Sequence, residues 1–161
     1  MVKENVLDVL MYLFEHYMDS ELELFPDHES LRIELMDAGF SLNEIDKAFV
    51  WLEGLAFLKE QPHYGGLGAS SRSVRIYTDE EMRKLGPDCR GFLLFLEEIG
   101  VLDGNNREMV IDRVLALEGG EIDLKQLKWI ILMVLFNQPG LEAAFSWMED
   151  QVFEDYAPVA H

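Results

Sequence analysis

Apolar positions recur at three- and four-residue spacings through the first part of the chain, and each run ends on a residue suited to a helix terminus. Val6, Leu10, Leu13, Phe14 and Tyr17 share one face and predict a first helix over about residues 4–18. An acidic stretch containing Pro26 reads as a loop. The next helix, near Glu29–Ala38, turns Leu31 and Leu35 inward and stops at Gly39, the residue that most easily takes the left-handed conformation after a helix. Ser41 then caps a third helix. Glu44, three residues on, closes a capping box, Phe40 is placed to staple onto Ile45, and the inward stripe is Ile45, Ala48, Phe49 and Leu52.

Beyond Gly54 the period changes. Leu55–Lys59 and Ser73–Tyr77 read as short extended segments on either side of the Gly- and Ser-rich stretch Gln61–Arg72; in the second of them Val74 and Ile76 alternate with Arg75 and Tyr77. Three helices and then a β-hairpin with a long tip is the order of a winged helix-turn-helix, expected over residues 1–78. A three-helix bundle with a loose loop is the alternative.

Residues 79–161 return to the helical period. Thr78 and Glu81 form a second capping box for a short helix ending at Gly86, and Pro87 opens the next, with a stripe of Phe92, Phe95, Leu96 and Ile99 and a stop at Gly100. Asn105 or Asn106 caps a helix carrying Val110, Val114 and Leu117, which Gly119 and Gly120 break. Asp123 caps another that is apolar on nearly every side from Trp129 to Phe136, so it demands neighbours all round and belongs at the centre of a bundle. After a turn at Asn137–Gly140, a last helix presents Ala144, Phe145, Met148 and Val152. The expected fold is mainly α: an N-terminal winged-helix-like unit packed on a C-terminal helical bundle. Halves of roughly 80 residues bury little core alone, so the two are expected to dock as one folding unit.

Charge complicates this picture. The 161 residues carry 31 acidic and 13 basic side chains, a net −18. The imbalance is uneven: 4 basic against 14 acidic over residues 1–60, 5 against 4 over 61–91, and 4 against 13 over 92–161. Only the middle segment would not repel a polyanion. A hydrophobic fraction of 49% argues against disorder. The apolar run Trp129–Phe136 falls well short of the roughly 18 residues that a membrane span needs. Glu4, Asp8 and Glu15 interrupt the N-terminal apolar residues, which leaves no secretory signal, and Cys89 alone can form no internal disulfide. A cytoplasmic protein with no membrane contact is the expectation.

Several strings are distinctive in wording and order: Leu10–Glu15 (LMYLFE), Trp51-Leu52-Glu53, Arg75–Thr78 (RIYT), Arg90–Glu97 (RGFLLFLE) and Leu127–Asn137 (LKWIILMVLFN). Over nearly its whole length the chain resembles the Smg family of bacterial proteins. The resemblance implies a bacterial cytoplasmic protein and carries over no catalytic or binding residue. Genes of that family often lie beside one for a DNA-processing protein, which implies work near DNA.

Winged helices read DNA with the third helix, and here its outward residues are of the wrong kind. Asn43, Glu44, Asp46, Lys47 and Glu53 sum to −2, a face that phosphates repel. Arg72, Arg75, Arg83, Lys84 and Arg90 are the better nucleic-acid candidates, the first two at the wing, where arginine can enter a minor groove. The same cations can instead simply pair with surplus carboxylates. Cys89 lies beside Arg90 near a helix start, but no histidine is near it in sequence, so it reads as a structural cysteine. His16, His28, His63 and His161 match no metal-site spacing. The carboxylate pairs Asp27 and Glu29, Glu97 and Glu98, and the run Asp79–Glu81 read as caps and solvated faces. Trp51 lies beside the third helix's stripe, so it either packs against the C-terminal half or, with Leu42 and Val50, forms an exposed partner-binding patch.

No catalytic residue, metal or cofactor is expected. The function that these residues favour is a non-catalytic protein-interaction module, an acidic winged-helix-like adaptor for a protein partner that is itself basic and DNA-associated. Weak DNA binding through the basic wing and mimicry of DNA by the acidic surface are the alternatives.

Overall fold

Several helix starts are set by side chains that accept from otherwise unpaired backbone N–H groups, and those at Ser41, Thr78 and Asp123 stand where the sequence puts them. Thr78 Oγ1 accepts from the Glu81 N–H at 3.1 Å while the Glu81 carboxylate accepts from the Thr78 N–H at 2.9 Å, and Asp123 and Gln126 repeat the exchange at 2.8 and 2.9 Å. Ser41 Oγ accepts from the Glu44 N–H at 3.3 Å. The computed structural model describes residues 6–17, 28–60, 76–136 and 138–156. These form eight α-helices: α1 (Val6–Tyr17), α2 (His28–Asp37), α3 (Leu42–Glu60), α4 (Asp79–Lys84), α5 (Pro87–Glu98), α6 (Gly104–Leu115), α7 (Leu124–Leu135) and α8 (Glu142–Tyr156).

The expected β-hairpin is overturned, and with it the winged-helix assignment. Among the described residues there is no strand, only an isolated parallel bridge between Leu85 and Ile122. Leu55–Lys59, read as the hairpin's first strand, is the last part of α3, which runs through Gly54 to Glu60. A glycine inside a helix costs about 1 kcal/mol relative to alanine. Burial of Leu55 and two hydrogen bonds from Lys59 outweigh that cost. Of the second strand, Ile76 and Tyr77 have no regular structure, and Ser73–Arg75 lie outside the described residues, as does the stretch Gln61–Arg72.

Packing divides the chain into two compact units, Met1–Ala56 and Phe57–His161, so the division falls inside α3, ahead of the 78/79 position expected from sequence. In the first unit α1 buries Val6, Leu7, Val9, Leu10 and Leu13; α2 contributes Leu31 and Leu35; α3 contributes Ile45, Ala48, Phe49 and Trp51. Gly39, at φ 105°, makes the turn after α2. The Phe40 N–H reaches back to the Leu35 carbonyl at 3.1 Å and the Gly39 N–H to that of Met36 at 3.0 Å, a Schellman closure that requires the left-handed glycine. Arg32 on α2 meets Asp46 on α3 at 2.9 Å, and Tyr12 packs edge-on to Phe40 at 5.5 Å.

The second unit is organised around α7, buried at every position from Trp129 to Leu135 and packed against α5, α6 and α8. α6 is capped by Asp103, whose carboxylate accepts from the Asn106 N–H at 2.8 Å, not by Asn105 or Asn106 themselves. Asn106 is instead buried, and its side-chain oxygen accepts from Gln138 at 3.3 Å. The far end of α7 is closed by Lys59, whose ammonium donates to the carbonyls of Met133 (3.1 Å) and Phe136 (2.8 Å). Burial lowers the Lys59 pKa from 10.5 to about 8.

Two outcomes follow for stability. Asp123→Ala removes the α7 cap and is expected to cost about 1 kcal/mol, and Ile130→Ala at the buried centre roughly 2–5 kcal/mol, both read from urea unfolding. Between pH 8 and 10.5 the unfolded chain binds more protons at Lys59 than the folded one, so stability from this group rises with pH through that interval and is lost as pH falls through about 8. The unfolding free energy of the wild type, measured against Lys59→Met, is therefore expected to gain on the order of 3 kcal/mol between those pH values.

Candidate functional site

Of the cations singled out from the sequence, three lie among the described residues, and two of these, Lys84 and Arg90, are engaged with backbone carbonyls. Arg72 and Arg75 lie outside the described residues. Arg83, in the last turn of α4, is exposed. Its neighbour Lys84 is half-buried and donates to the carbonyl of Leu117, at the end of the α6 segment, while its own carbonyl accepts from the Ile122 N–H at 3.1 Å. Burial lowers the Lys84 pKa, and the nearby carboxylates of Glu80 and Glu118 act in the opposite direction. Arg90 donates from Nε to the Leu85 carbonyl at 3.0 Å and lies 6.0 Å from the ring centre of Tyr77. Lys84 and Arg90 thus brace the corner where α4 meets α5 and the α6–α7 loop.

Beside that corner lies an open cleft of about 520 Å³, lined by Gly86, Pro87, Cys89, Glu121, Asp123 and Gln126 among others. It brings together a thiol, two helix starts and several carboxylates, yet the thiol is held protonated. Cys89 is 2% exposed and its Sγ lies 3.8 Å from the Ile122 carbonyl. Burial, then the negative charges of Asp123, Glu121 and Asp88, raise its pKa to about 11. Asp123 is engaged as the α7 cap. Among the described residues no three histidine, cysteine, aspartate or glutamate side chains are placed to share a metal ion. His16 stacks on Tyr12 at 4.1 Å; His63 and His161, and the side chain of His28, lie outside the described residues. Asp27 also lies outside them; Glu29 approaches Arg32 at 3.4 Å, Glu97 pairs with Arg107 at 2.8 Å, and Asp79–Glu81 form the first turn of α4.

Apolar side chains are the more unusual surface feature. Leu42 and Val50 are exposed on α3, Val50 by 67%, with Asp46 midway between them. Ile33 and Met36 are exposed on α2. Trp51, expected either as an exposed anchor or as a docking residue, is 3% exposed, so it is not a free anchor.

α5 departs further from expectation. Its inward residues are Cys89, Leu93 and Leu96, so the helix is turned relative to the stripe read from sequence. Phe95 and Ile99 face outward at 44% and 46% exposure, joined by Leu94 at 55%. Phe95 lies 6.3 Å from Phe92 and 6.4 Å from Trp147 of α8, which extends the apolar face across two helices. Lys128 stands over the Phe92 ring at 5.5 Å. The sequence signal that could have found this face is the run Phe92–Leu96, apolar on more sides than one buried stripe can use.

The described residues define an all-helical protein whose surface presents apolar side chains in a strongly acidic chain. The chain belongs to the family described as "Protein of unknown function (DUF494)", which matches residues 6–161. It is 58% identical to the Protein Smg homolog of Nitrosococcus oceani over 99% of this chain and 100% of that one. Protein Smg homologs of Xanthomonas campestris pv. campestris and Thioalkalivibrio sulfidiphilus are 52% and 51% identical, again over 99% of this chain and the whole of theirs. The Smg resemblance is thereby shown. No solved structure matches the chain. No helix of the described residues is long and apolar enough to cross a membrane.

With its pKa near 11 and little exposure, Cys89 is expected to react with an aromatic disulfide reagent at pH 8 at least about tenfold more slowly in the native protein than in urea. Absorbance of the released thiolate reads the rate.

Proposed function

We propose that this protein is a non-catalytic, cytoplasmic protein-interaction module: an acidic helical adaptor whose partner is a basic protein. The observation that carries this reading is the pairing of exposed apolar side chains, Leu42, Val50, Leu94, Phe95 and Ile99, with a net charge of −18. Apolar anchors supply affinity once water is excluded from them. The surrounding carboxylates speed the encounter with a cationic partner and repel nucleic acid. Two of the three described basic candidates, Lys84 and Arg90, act on backbone carbonyls inside the fold, which favours a protein partner over DNA.

Affinity isolation of the tagged protein from its native cells, with and without nuclease and at low and high salt, tests the reading. The expected result is a stoichiometric protein that survives nuclease, is reduced at high salt, and is lost when Leu42 and Val50 or Leu94 and Ile99 are changed to serine in a variant that still folds. Recovery of nuclease-sensitive material alone would overturn it in favour of nucleic-acid binding.

A further inference from the structure

The outward face of α5 combines what a docking site needs: neighbouring apolar side chains, aromatic content and exposed carboxylates at Asp88, Glu98 and, on α8, Asp150. At about 100° per residue, Asp88, Gly91, Leu94, Phe95, Glu98 and Ile99 share one side of the helix. All six are exposed. Trp147 from α8 lies beside Phe95, and Asp150, one turn further along α8, is exposed as well. Two cations near the face hold other groups: Arg90 donates to the Leu85 carbonyl at 3.0 Å, and Arg107 pairs with Glu97 at 2.8 Å. Lys128 marks one edge, over the Phe92 ring. From Gly91 to Ile99 the face runs about 12 Å, the length of two helical turns.

We infer that this α5–α8 face binds a basic amphipathic helix of another protein, with apolar residues at i, i+3, i+4 and i+7 placed on Leu94, Phe95, Ile99 and Trp147 and lysines or arginines beside Asp88, Glu98 and Asp150. Charge complementarity selects this occupant. A second copy of the chain would bring another −18, with the same acidic margin, against the first, and nucleic acid would meet the same carboxylates. A helix supplies anchors at the spacing that a two-turn face can accept, the helix-in-groove mode of recognition. This assignment rests on the protein-interaction reading and adds to it a surface and a partner chemistry.

The test uses the full chain and three synthetic peptides. One is a leucine–lysine helix with leucines at i, i+3, i+4 and i+7, the second a scramble of identical composition without that period, and the third carries glutamate in place of lysine. Calorimetric titration in about 0.15 M salt, where exposed charges are screened beyond roughly 8 Å, keeps bulk attraction from dominating. The expected result is that the basic helix binds at least tenfold more tightly than the scramble and the acidic peptide does not bind. Leu94→Ser with Ile99→Ser removes that advantage, Glu98→Lys with Asp150→Lys weakens binding several-fold, and Ile33→Ser with Met36→Ser, exposed apolar residues of α2, changes nothing. Thermal melts confirm that each variant folds, and the charge pair tests the face independently should the serine pair fail to do so. Equal binding of helix and scramble, or no binding of the helix, overturns the assignment. So does self-association of the wild type that the Leu94 and Ile99 changes abolish, which would make a second copy the occupant. Loss of binding in the Ile33 and Met36 variant alone moves the site to the first unit; the α5–α8 assignment then fails while the interaction reading stands. Failure of that reading is signalled separately, by the absence of a nuclease-resistant partner from cells.

Discussion

A helix with seven consecutive buried residues cannot lie on a surface. From Trp129 to Leu135, α7 turns an apolar side chain in every direction, so the second unit must surround it, and α5, α6 and α8 do so. That enclosure creates a second requirement, because the last carbonyls of a helix have no partner within it and lose water when the end is buried. Lys59 meets the requirement, and the depressed affinity of its amine for a proton records how far from water it sits. α3 runs past Gly54 to Glu60 and so carries Lys59, one of its last residues, to the end of α7.

With 13 cations against 31 carboxylates, each positive side chain has a choice of partners, and several of those described here take backbone oxygen instead. Lys59, Lys84 and Arg90 all donate to main-chain carbonyls. Arg32 and Arg107 hold carboxylates across helices, on Asp46 and Glu97. Cations used this way tie turns to helices, and the charge that remains outside is overwhelmingly negative.

Local chemistry made much of the fold readable from residue types alone. The Thr78–Glu81 and Asp123–Gln126 boxes, the glycine after α2, the proline that opens α5 and the all-round apolar character of α7 are each determined within a few residues, and each is found in place. What could not be read depended on distant partners. Gly54 looks like a break until the burial of Leu55 and the reach of Lys59 are known. In α5, five apolar residues in a row, Phe92–Leu96, fit more than one rotation of the helix, and its neighbours select the one that leaves Phe95 outside. Asp103 is the cap in place of Asn105 or Asn106, and the Asn106 side chain accepts instead from Gln138, more than thirty residues away. The candidate site was the least readable part for the same reason: exposure of Val50 and burial of Trp51, adjacent in sequence, depend on packing that spacing alone does not state.

The position of α7 in the order of the chain also governs how the protein is made. Its closest packing is with α6 and α8, the helices just before and after it, so these pairings are local and form quickly once the segment exists. During synthesis, however, α4, α5 and α6 leave the ribosome first, with Leu93, Leu96, Val110 and Val114 still uncovered. The second unit can complete its core only after α7 and α8 emerge, and until then its nascent helices are exposed to aggregation or chaperone capture.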